Sequence, residues 1–120
     1  MAETQIINHV RSYASGTPGR SLNNVGVHHF VIDEPAYNGG PGEEITPGDA
    51  FFSGISSCGV LLLERFAAES HIPLVTAEAV IEGVREPSDL SQFTRVGLFF
   101  KLVGPTQTQA EQLVERYKRR

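Results

Sequence analysis

Apolar and polar positions alternate through residues 25–33. Val25, Val27, His29, Val31 and Asp33 fall on one side, and Gly26, His28, Phe30 and Ile32 on the other. A period of two predicts a strand. Phe93–Val103 repeats the pattern, with Val96, Leu98, Phe100 and Leu102 on one face. Leu74–Glu86 reads as a strand that turns polar toward its end, and Gln5–Tyr13 as a weakly alternating edge strand. Pro87–Ser91 is the turn between the two later strands.

The longest apolar stretch, Phe51–Ala68, has a different pattern. Ile55, Val60, Leu61, Leu62, Leu63 and Phe66 surround its middle instead of forming a stripe. A helix apolar almost all round is expected to be covered on most sides. Thr46 supplies an N-cap and Pro47 a first helical residue with φ already set. The helix is expected to run to about His71, where Ile72-Pro73 stops it. At ~1.5 Å per residue it would span roughly 35 Å. A last helix, Gln107–Arg120, is capped by Thr106 and carries Ala110, Leu113, Val114 and Tyr117 on its apolar face.

Two segments are rich in breakers. Ser15–Asn24 holds Gly16, Pro18, Gly19, Asn23 and Asn24 and reads as a turn region. Glu34–Gly48 holds three prolines and four glycines and is expected to be an irregular loop. The order strands, long helix, strands, helix predicts an α+β fold with antiparallel sheet, in one domain over residues 1–120. A chain of this length has limited surface with which to cover such a helix, so a second subunit is a natural source of the remainder.

Composition narrows the function. The net charge is −4, with no large basic excess, which disfavours nucleic acid and anionic membranes as main partners, because both need a clustered positive surface. The basic residues Arg116, Lys118, Arg119 and Arg120 suit the C-terminal end of a helix dipole. Glu64 and Arg65 interrupt the apolar stretch, so it is read as a core helix and not as a membrane span. Met1–Gln5 shows no basic region followed by an apolar run, so no signal peptide is expected and the cytoplasm is the expected compartment. The single cysteine, Cys58, forms no internal disulfide.

Cys58 is also the leading candidate for chemistry. From the residues alone it is either a small hydrophobe of an apolar helix or a reactive thiol. A thiolate at mid-helix gains little from the helix N-terminus and needs a cation. Arg20, Arg11 and Arg65 are the candidates. Asp49, Glu43 and Glu44 are carboxylates that could hold an arginine in place, or that decorate a helix N-terminus. His28 and His29 point to opposite faces of a strand and cannot chelate together; no Cys/His/Asp/Glu spacing matches a metal site, so no metal or cofactor is expected. Gly39–Gly42 lacks the Gly-Lys-Ser/Thr of a phosphate loop, and Ser53, Ser56 and Ser57 sit in no nucleophile elbow.

Taken in order, these features resemble the OsmC/Ohr family. The residues concerned are His29–Pro35, then Gly39-Gly40, then Thr46–Cys58, with Cys58 eleven residues after Pro47. Ser70–Pro73 is similar to the family's helix end. The resemblance implies an intertwined homodimer, with antiparallel sheet wrapped around long central helices. It also implies thiol-dependent reduction of organic hydroperoxides or related oxidants, as in oxidative stress responses. Cys58 would be the reactive thiol, Arg20 its cation, Asp49 an orienting group, and an external thiol the reductant. This sequence departs from the pattern at three places. Gly48 replaces the glutamate that follows the helix-opening proline, with Asp49 one step on. There is no second cysteine to resolve a sulfenic acid. Pro18-Gly19-Arg20 replaces a Gly-Gly-Arg turn. The alternative is a non-catalytic dimer, structural or binding a small apolar molecule, with Cys58 lining an interface pocket.

Overall fold

The computed structural model describes residues 4–120. Met1, Ala2 and Glu3, part of the N-terminal stretch inspected for a targeting signal, lie outside them. The chain divides into two compact units, Met1–Phe51 and Phe52–Arg120.

The first unit holds a three-stranded antiparallel sheet in the order β1-β2-β3, from Arg11–Ala14, Arg20–Val25 and His28–Asp33. Two expectations change here. The edge strand is Arg11–Ala14 and not Gln5–Tyr13. The region read as a turn contains β2, the central strand. Val25 ends β2 and pairs with His28, so Gly26-Val27 is a two-residue hairpin loop. Gly26 has φ +58 while Val27 is not left-handed, which is the pattern of a type II′ turn. The Asn23-Asn24 pair disguised the strand, because asparagine disfavours strands in isolation. In the sheet Asn23 is buried and answered on both sides. Its Oδ1 accepts from Ser12 Oγ at 2.6 Å, and its Nδ2 donates to the Phe30 carbonyl at 3.2 Å.

The loop after β3 folds tightly back on it. It contains one turn of 3₁₀ helix, Ala36–Asn38, where no regular element was expected. The Asp33 N–H donates to the Ile45 carbonyl at 2.9 Å, and the Glu34 N–H to the Gly19 carbonyl at 2.8 Å. Glycine is required where these segments touch. A Cβ on Gly40 would stand 2.1 Å from the Glu34 carbonyl oxygen, and one on Gly19 would stand 2.8 Å from the Gly40 Cα.

Helix α1 spans Pro47–Glu69. At its end the Ile72 N–H donates to the Ala67 carbonyl at 2.9 Å and the His71 N–H to the Ala68 carbonyl at 3.3 Å, with His71 left-handed at φ +56. This is a Schellman stop, two residues before the expected end, and Pro73 follows it.

The second unit contains β4 (Thr76–Val84) and β5 (Arg95–Val103), paired antiparallel, and α2 (Gln107–Lys118). Thr106 and Gln109 form a reciprocal capping box at the start of α2. The core is Leu62, Leu63, Phe66 and Ala67 of α1 with Leu113 of α2; Ile72, Leu74, Phe100, Leu102 and Tyr117 pack against it. Phe100 meets Tyr117 edge-on, with ring centroids 5.3 Å apart.

By length and composition α1 could cross a membrane. Its buried positions, Gly59, Leu62, Leu63, Phe66 and Ala67, instead follow the spacing of one helical face packed in a protein core. Within the single chain the opposite side of the helix is left open. Phe51, Cys58 and Leu61 are exposed, Leu61 at 60%.

Candidate functional site

Arg20 opens β2 and Asp33 closes β3. The Gly26-Val27 hairpin sets their register, and they are direct cross-strand partners. Side chains at paired positions share a face. Arg20 Nε donates to Asp33 Oδ1 at 2.7 Å and Nη2 donates to Oδ2 at 2.9 Å, a side-on fork. Nη2 also donates to Glu43 Oε1 at 3.3 Å. Asp33 Oδ2 accepts the backbone N–H groups of Glu43 and Glu44, each at 3.1 Å. The Asp33 side chain is fully buried, that of Arg20 is 25% exposed and that of Glu43 is 73% exposed.

A buried carboxylate is tolerated because four donor contacts answer its two oxygens. The hydrogen bond from Arg20 is the main reason that the Asp33 carboxyl titrates low, at about 2; burial opposes the shift, and the two backbone N–H groups reinforce it. The same bond raises the Arg20 pKa, so its charge is permanent.

Asp49 lies elsewhere in the hydrogen-bond network. Its N–H donates to Thr46 Oγ1 at 3.1 Å and its Oδ2 accepts the Thr46 N–H at 3.3 Å. This is a reciprocal cap at the start of α1, the dipole-decorating alternative. The carboxylates that hold Arg20 are Asp33 and Glu43. Asp33 was missing from the sequence candidates because reading residues 15–24 as a turn removed β2, and with it the pairing. The signal that could have found it is the symmetry of Arg20 and Asp33 about a Gly-containing two-residue turn.

Cys58 is exposed on α1, between exposed Ser57 and buried Gly59. A Cβ on Gly59 would meet the Phe100 ring at 3.0 Å, so Gly59 lets α1 lie close to β5. Gly54, Leu61 and Arg65 stand four before, three after and seven after Cys58, on the same exposed side of the helix. His29 Nδ1 is 2.7 Å from Asn24 Oδ1, its cross-strand partner. Among the described residues no three His, Cys, Asp or Glu side chains gather as metal ligands.

The sequence matches no family model and no curated protein. Solved structures do match. An OsmC-like protein of Mycoplasma pneumoniae superposes with a TM-score of 0.81 at 12% identity, over 98% of this chain and 84% of its own. The chain has the OsmC-like fold. The organic hydroperoxide resistance protein OsmC of Legionella pneumophila gives a TM-score of 0.71 at 19% identity, over 94% of this chain and 82% of its own. An organic hydroperoxide resistance protein of Elizabethkingia anophelis, solved with thiocyanate bound, gives 0.68 at 19% identity, over 95% and 82%. The α+β OsmC-like expectation therefore holds at the level of fold, at an identity where pairwise sequence comparison carries little signal.

Proposed function

We propose that this OsmC-like chain is a thiol-dependent reductase of organic hydroperoxides or related oxidants, with Cys58 as the reactive thiol and Arg20 as the cation that serves it. The observation that carries this reading is the exposed position of Cys58 on α1 of an OsmC-like fold, eleven residues after Pro47. Its support comes from Arg20, whose charge is permanent and whose guanidinium is held by two carboxylates. Hydroperoxide resistance proteins are among the chains of similar fold.

In this mechanism the Cys58 thiolate attacks the distal oxygen of the peroxide. The O–O bond breaks, an alkoxide leaves and takes up a proton as the alcohol, and the sulfur becomes a sulfenic acid. An external thiol then condenses with the sulfenic acid, releasing water and leaving a mixed disulfide. A second thiol frees Cys58 and departs in the external disulfide. A small or protein dithiol fits this role, because Cys58 is the chain's one cysteine. The reading includes a single OsmC-like domain, a cytoplasmic setting and a homodimer. The exposed apolar side chains of Phe51 and Leu61 on α1 favour a second copy as cover.

Purified protein should consume cumene hydroperoxide when a dithiol is supplied, and Cys58→Ser should abolish the consumption. Equal rates for the two proteins would refute the reading. A second reading, a non-catalytic dimer that binds a small apolar molecule, is favoured by one observation. The charge of Arg20 is already balanced by Asp33 and Glu43. Its mark would be thermal stabilisation by apolar ligands that Cys58→Ser leaves intact.

A further inference from the structure

Asp33 is fully buried, titratable and not used by the reaction outlined above. We propose that Asp33 is the positioning residue of this site, holding the Arg20 guanidinium by Nε and Nη2 so that Nη1 is the edge left to serve the thiolate. This rests on the reading of Arg20 as the cation that serves Cys58.

The geometry carries it. A guanidinium is planar, with five N–H donors in fixed directions. Nε and one hydrogen of Nη2 are tied to the two oxygens of Asp33, and Nη2 also reaches Glu43. Once two adjacent nitrogens are tied side-on to one carboxylate, the orientation of the third is set. Nη1 makes no hydrogen bond among the described residues. The anchor is itself held by hydrogen bonds. Asp33 Oδ2 accepts the N–H groups of Glu43 and Glu44, and the Asp33 N–H is bonded to Ile45. A surface depression of about 280 Å³ has Arg20 in its lining, with Ala14, Gly19, Ser21, Ile32, Glu34 and Pro47. Glu43 makes a weaker anchor, with one longer contact and 73% exposure.

Removing Asp33 would act in two opposing ways. It would leave the arginine uncompensated, which strengthens its field, and it would leave it unheld. Orientation decides the outcome. A fork fixes donors within hydrogen-bond geometry, whereas a released arginine regains rotamer freedom and is screened by water.

The test is the thiol pKa of Cys58, measured by pH-dependent alkylation in the folded wild type, Arg20→Gln, Asp33→Asn and Arg20→Lys, with circular dichroism as the fold control. A purely structural role for Asp33 would not move this readout. Arg20→Gln is expected to raise the thiol pKa by about one unit or more. Asp33→Asn is expected to raise it by a similar amount although the arginine remains. An unchanged pKa in Arg20→Gln overturns the reading of Arg20, and this proposal with it. A raised pKa in Arg20→Gln with an unchanged or lowered one in Asp33→Asn overturns the proposal alone. If Asp33→Asn does not fold, Arg20→Lys decides. Its single ammonium is claimed by the intact Asp33, so its thiol pKa should match that of Arg20→Gln. A wild-type value in Arg20→Lys overturns the proposal.

Discussion

Among the largest fully buried side chains, those of residues 52–120 are hydrocarbon, Leu63 and Leu113, while the one in the first fifty-one residues is a carboxylate, Asp33. The second unit is held by area removed from water and by rings in contact. The first is organised around a charge that four donor contacts must answer. Hydrophobic packing tolerates small shifts and exchanges of similar volume. A forked ion pair tolerates neither, because its energy depends on direction and on every partner being present. The polar region therefore depends on strand register and on glycines that allow close approach.

Substitutions can test this contrast, and the largest effect belongs to the hydrocarbon core. Leu63→Ala should lower stability by roughly 2–5 kcal/mol, since Leu63 is fully buried and its removal leaves a cavity. Urea denaturation followed by far-ultraviolet circular dichroism measures it; a change much below 1 kcal/mol would mean that the core is not closed around this residue. Gly40→Ala comes next, at roughly 1–3 kcal/mol, because the new methyl group collides with the Glu34 carbonyl. Its distinguishing sign is faster proteolysis within residues 34–46, a change that Leu63→Ala at equal stability should not reproduce locally. Thr106→Ala removes the capping box of α2 and should cost about 1 kcal/mol, leaving residues 34–46 as protected as in the wild type.

The last test is a titration. The folded pKa of Asp33, about 2, lies below its ordinary value of 3.8. In acid the unfolded chain takes up this proton first. The stabilisation from the pair is thus fully present above about pH 4 and is lost as the pH falls through about 2. Arg20→Met should flatten the loss of stability across that window. A variant that loses stability as steeply as the wild type would assign the acid sensitivity to other carboxylates.

Much of the architecture was legible along the chain. Thr46-Pro47 marked the start of α1, Ile72-Pro73 placed its end within two residues, and the alternation of Leu98, Phe100 and Leu102 gave the inward face of β5. Val96 extended that pattern on paper but is 51% exposed; it lies near the end of the hairpin, opposite Gly83. The central strand β2 was hidden. Its asparagines are unfavourable in isolation and become favourable only when Ser12 and the Phe30 carbonyl bond to Asn23.

The same division holds for the candidate site. The sequence alone singled out Cys58, Arg20 and the nearby acids, because a lone thiol needs a cation and a cation needs an anchor. Which acid anchors Arg20 was decided by tertiary structure. The hairpin at Gly26-Val27 sets Arg20 opposite Asp33, while the first turn of α1 occupies Asp49 as a cap. Local signals such as caps, stops and periodicity act within a few residues and can be read from the chain itself. A hydrogen bond between positions thirteen residues apart exists only once strand register has been chosen, and that choice belongs to the folded chain.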